Sequence, residues 1–82
     1  MNKSMLVVVV FANGDRWSRE LVVDQSKVTA WDEAMKGLGR QLTRNGWKAA
    51  NIASVTCFTG THVGTYQTPG DVAEVLCIAQ EG

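Results

Sequence analysis

The sequence predicts an α+β domain in the order β-β-α-β-β, with an antiparallel sheet of order 2-1-3-4 and one helix packed on one face. Three observations carry this. Met5–Ala12 (MLVVVVFA) is apolar and mostly β-branched, which favours a strand over a helix. Asn13-Gly14 follows at once, the strongest short hairpin signal. Thr29–Trp47 (TAWDEAMKGLGRQLTRNGW) then places Trp31, Met35, Leu38 and Leu42 on one stripe at helical spacing, flanked by Ala34.

The first strand shows no alternation of apolar and polar residues. Such a strand belongs in the interior of a sheet. A two-residue Asn-Gly turn would set Phe11 opposite Arg16 and Val10 opposite Trp17. Leu6, Val8 and Val10 then share the core face with Trp17, Arg19 and Leu21, and Val23 extends it. Val7, Val9 and Phe11 fall on the opposite face, which one helix cannot cover. That face is a candidate association surface. Arg19 would reach the sheet edge by its aliphatic stem.

Asp24–Lys27 is a polar connector. Thr29 begins the helix, with Asp32 three residues on to complete a capping pair, and Asp32 and Glu33 suit the positive helix end. Asn45-Gly46 stops it, with Gly46 left-handed and Trp47 packing back on Leu42. Gly37 and Gly39 sit inside the helix at about 1 kcal/mol each. Gly39 borders the apolar stripe and allows close approach. Gly37 faces solvent, where it leaves room for a partner or serves no packing purpose.

Ile52–Thr59 reads as a strand, and Gly60–Gly70 as a Thr/Gly-rich loop whose tip or ends are extended. Residues 71–80 fit two readings. Thr68-Pro69-Gly70-Asp71 opens a helix well, and Val72, Val75, Leu76 and Ala79 fit helical spacing. The compact run Val75–Ala79 reads as a strand, and the strand is favoured. The third strand pairs beside the first, which gives the order 2-1-3-4.

At 82 residues the chain has room for a single domain, residues 1–82, with a small core. Apolar content of 45% against 20% charged excludes a disordered composition. The longest apolar run is strand-sized, too short to span a membrane. No small-residue cleavage site follows it, so a cytoplasmic address is expected. Cys57 and Cys77 allow one disulfide at most. The simpler reading is two small buried apolar residues, and the sequence leaves the pairing open. His62 is the one histidine, so no zinc set assembles, and no metal or cofactor is expected.

A formal net charge of zero conceals an asymmetry. Residues 1–48 hold all eight Lys and Arg against five acids, whereas residues 49–82 hold Asp71, Glu74 and Glu81 and no cation. Lys36, Arg40 and Arg44 recur every four residues, and Lys48 follows past the helix stop. This row is the candidate partner-binding site. It suits phosphates or an acidic protein surface. The plainer reading is a solvated helix face, with Asp32 and Lys36 as a local ion pair. A pI near 6.5 is low for a nucleic-acid-binding domain.

The residues do not assemble an enzyme. His62 and Tyr66 share the loop without a carboxylate. Ser18, Ser26 and Ser54 lack a nucleophile context. Gly60, Gly64 and Gly70 match no phosphate-binding pattern. Asp32 and Glu33 are adjacent on a helix and point apart.

A chain of this length, with a hairpin-helix-strand build, split charge and no catalytic motif, is similar to small phage-encoded inhibitors of host defence, including anti-CRISPR proteins. The resemblance is one of architecture over the whole chain and transfers no residue. It implies a non-enzymatic protein that occupies the surface of a protein or nucleoprotein complex. Two alternatives remain. One is a nucleic-acid-binding module using the same basic row. The other is a homodimeric structural domain joined through Val7, Val9 and Phe11.

Overall fold

The computed structural model describes residues 2–24, 26, 29–60 and 63–80. The elements are β1 (Asn2–Phe11), β2 (Arg16–Asp24), α1 (Ala30–Arg44), a short 3-10 turn (Ala49–Asn51), β3 (Ile52–Phe58), β4 (Val63–Tyr66) and α2 (Pro69–Leu76). The four strands form one sheet of order β2-β1-β3-β4, antiparallel throughout. The class and strand order are those the sequence predicts, and the valine strand is interior.

The hairpin register differs by one residue from the two-residue turn. The Gly14 N–H donates to the Phe11 carbonyl at 2.9 Å, and the Phe11 N–H donates to the Asp15 carbonyl at 2.8 Å. The loop is therefore three residues, Ala12–Gly14. Only Gly14 adopts a left-handed conformation, at φ 94°. Asn13 keeps a negative φ and uses its Oδ1 to accept the Asp15 N–H at 2.9 Å. A three-residue loop closed by a left-handed glycine is the next commonest hairpin connection. Val9 now faces Trp17 and Val10 faces Arg16.

Because side chains alternate along a strand, this shift exchanges the faces of β1. Val7, Val9 and Phe11 are 0%, 0% and 6% exposed. They are not an association surface. They form the floor of the core beneath the helices, packed with Leu38, Leu42, Val55 and Leu76. The β2 assignment stands, with Trp17 and Leu21 packed against the core and Val23 buried. Arg19 shares this side and lies over the Trp17 ring, its guanidinium carbon 4.9 Å from the centroid. Leu6, Val8 and Val10 point to the other side of the sheet.

The second correction concerns the C-terminal segment. Pro69–Leu76 is a helix, not the favoured strand. Thr68 caps it, its Oγ1 accepting the Asp71 N–H at 3.2 Å, and Pro69 occupies the first turn, where a missing N–H costs nothing. Val72 and Leu76 recur at a spacing of four and are fully buried. The fourth strand comes from the Thr/Gly-rich loop instead, with Val63–Tyr66 paired to Val55–Phe58. Two helices thus cover one face of the sheet where one was expected.

α1 starts at Thr29, but the threonine hydroxyl does not cap the helix amides. It donates to Glu33 Oε1 at 3.4 Å. The helix stop is as the sequence predicts. Gly46 has φ 82°, its N–H donates to the Thr43 carbonyl, and the Trp47 N–H donates to the Leu42 carbonyl, both at 3.0 Å. The Trp47 ring then stacks on Phe11, centroids 4.1 Å apart. This contact ties the end of α1 to the end of β1. The Ala49 and Ala50 N–H groups donate to the Ala79 and Gln80 carbonyls, strapping the tail beyond α2 to the 3-10 turn. Among the described residues no helix is long and apolar enough to cross a membrane.

Candidate functional site

α1 packs through Met35, Leu38, Gly39 and Leu42, all buried. Helical geometry then places Lys36, Arg40 and Arg44 on its outward side, and all three are exposed. Arg40 folds back along the helix. Its Nη2 lies 3.8 Å from the point a β-carbon on Gly37 would occupy. The guanidinium therefore reaches over the gap the glycine leaves, and Gly37 is half-buried. Lys48 is placed by a different element. It precedes the 3-10 turn, is half-buried, and its N–H donates to Asn51 Oδ1 at 3.2 Å. The helix carries three of the four basic residues, and the fourth lies between its end and the 3-10 turn.

The N-terminal end of the row has acidic company. Lys36 lines an open cavity of about 640 Å³ together with Asp32, Tyr66, Asp71 and Glu74. Three carboxylates meet one ammonium there, so the field falls off from Arg44 toward Lys36. Asp71 and Glu74 belong to α2 and come beside α1 only through the fold. The sole sequence signal for them was the absence of cations after residue 48.

A neighbouring cavity of about 350 Å³ shares Asp32 and Tyr66 and is lined by Met5, Trp31, Met35 and Cys57. Burial pushes the Cys57 thiol above its ordinary value. Both cysteines are free. Cys57 is half-buried, in keeping with the simpler sequence reading. Cys77 is exposed, contrary to it, and holds the left-handed position that ends α2 at φ 54°. His62 lies outside the described residues. Tyr66 is half-buried on β4, paired with Val55. Among the described residues, no three His, Cys, Asp or Glu side chains are grouped so as to hold a metal ion.

Comparison with protein-family models, curated proteins and solved structures finds no match to this chain. The functional reading therefore rests on the geometry of its own residues.

Proposed function

We propose that this protein is a small, non-enzymatic, cytoplasmic binding module. It acts by occupying the surface of another macromolecule through the outer side of α1. The observation that supports this is the division of labour on that helix. Met35, Leu38, Gly39 and Leu42 serve the core, while Lys36, Arg40 and Arg44 are exposed and serve no packing role. Lys48 follows past the helix stop, half-buried ahead of the 3-10 turn. An exposed row of cations suits contact with an acidic protein or nucleoprotein surface. If the expected likeness to phage-encoded inhibitors such as anti-CRISPR proteins holds, the partner is a host defence complex and the outcome of binding is inhibition.

The test is affinity capture from a bacterial lysate with the wild type and with the Arg40→Glu/Arg44→Glu variant. A partner retained by the first and lost by the second supports the reading. The same proteins captured by both would remove α1 from the interface.

Direct nucleic-acid binding through the same row is the second reading, favoured by the spacing of the three helical cations. Its test is a salt titration with a labelled DNA or RNA oligonucleotide. Nucleic-acid binding requires an affinity that falls steeply as salt rises. No affinity at low ionic strength sinks it.

A further inference from the structure

Both helices lie on the side of the sheet that carries Val7, Val9 and Val55. On the other side, Leu6, Val22, Phe58 and Val63 are 41%, 64%, 38% and 59% exposed. Leu6 pairs with Phe58 and Phe58 with Val63, so three of them form a continuous row across β1, β3 and β4. Val8 and Val10 continue the apolar surface along β1, each half-buried by its neighbours. An interior strand that is apolar on both faces is normally covered on both. Here the described residues of the chain cover one.

We infer that the open face is covered by a second copy of this chain, the two sheets stacking face to face about a twofold axis. The size fits. The four most exposed apolar side chains leave on the order of 400 Å² in water. Val8, Val10 and the polar neighbours bring the face near the ~800 Å² per partner of a stable interface.

The charges fit as well. The middle of the face is the row Ser18, Val8, Thr56 and Thr65, uncharged throughout. Two residues to one side stand Arg16, Val10 and Ser54, and two residues to the other stand Glu20, Leu6 and Phe58. A twofold axis along the middle row lays Arg16 of one copy over Glu20 of its partner, and Val10 over the partner's Leu6. Among the described residues, Arg16 and Glu20 are the charged groups of this face short of Asp24. Asp24 ends β2 and already accepts the Ser26 hydroxyl and N–H. The face is thus self-complementary, as an isologous interface requires. Since β2 is an edge strand, the ion pairs lie at the rim and set register more than affinity. The two α1 faces then point outward from opposite sides of the dimer, giving two binding surfaces per particle.

Sedimentation equilibrium of the full chain across a micromolar series tests this. The wild type should run at twice its 8.9 kDa mass. Arg16→Glu alone sets Glu against Glu, and Glu20→Arg alone sets Arg against Arg. Each should weaken the dimer about tenfold, and the double variant should restore it. Both positions are exposed, so the fold should be unaffected, which circular dichroism verifies. A monomer throughout overturns the proposal. So does a dimer indifferent to the single reversals, or one the double variant fails to restore. The outcome is independent of binding through Arg40 and Arg44, which lie on the opposite side of the sheet.

Discussion

The backbone carbonyl of Leu76, at the end of α2, occupies the space that a β-carbon on Gly39 would need. The second Cα hydrogen of Gly39 points at that oxygen, the geometry of a Cα–H···O contact between helices. Gly37, two residues earlier, meets only the flexible end of Arg40, at 3.8 Å. The two glycines of α1 therefore differ in purpose, and alanine should separate them. Gly39→Ala should destabilise the fold by about 1–3 kcal/mol, because α2 must shift to admit the methyl. Gly37→Ala should stabilise it by up to about 1 kcal/mol through helix propensity. Urea midpoints moving in opposite directions verify this, and a shift of the same sign in both contradicts it.

The helix caps make a second contrast. Thr68 accepts the Asp71 N–H at 3.2 Å, whereas the Thr29 hydroxyl turns to Glu33. Thr68→Ala should cost about 1 kcal/mol and Thr29→Ala only a few tenths. Equal losses in chemical denaturation would mean that Thr29 caps α1 after all.

Cys77 ends α2 at φ 54°, a conformation that strains any residue with a β-carbon. Its side chain is exposed, and its Sγ–H donates to the Glu74 carbonyl at 3.7 Å. Glycine fits this position better. Cys77→Gly should raise stability by about 0.5–1 kcal/mol, read as an increase in Tm. A lower Tm would show that the thiol contributes more than the backbone strain takes away.

The thiols should also differ in reactivity. Cys77 is exposed, while burial raises the Cys57 thiol above its ordinary value and holds it protonated. Iodoacetamide at mildly alkaline pH should label Cys77 first, and Cys57 only slowly, as peptide mass mapping would show. The same shift has a sign for stability. Above the ordinary thiol pKa the unfolded chain loses a proton that the folded chain keeps. Stability should therefore fall as pH rises from the ordinary thiol range up to the folded-state value. Replacing Cys57 with serine should remove that part of the alkaline slope.

The strand order was legible because composition and connectivity both restrict it. An all-apolar first strand asks for the interior, and a hairpin followed by a crossover helix leaves a slot beside it. The stop of α1 was legible because Asn45-Gly46-Trp47 carries its own geometry. The face of β1 was not. Asn13-Gly14 serves a two-residue and a three-residue loop equally well, and the two differ by one residue of register. The second helix was hidden by its own composition. Val72, Val75 and Leu76 suit either period, and the decision rests on contacts with α1 and β3 that sequence spacing does not contain. Of the candidate site, the row Lys36, Arg40 and Arg44 follows from helical spacing alone. The carboxylates of Asp71 and Glu74 beside Lys36 do not, since only the docking of α2 brings them there. Nor does the folding of Arg40 over Gly37, which depends on a rotamer.

The central claim is that the outer side of α1 binds a partner and is dispensable for folding. The most direct measurement is calorimetric titration of a captured partner with the wild type and with Arg40→Glu/Arg44→Glu. The double reversal should weaken binding at least about tenfold with its urea midpoint unchanged. Equal affinity for the two proteins, both fully folded, would contradict the claim.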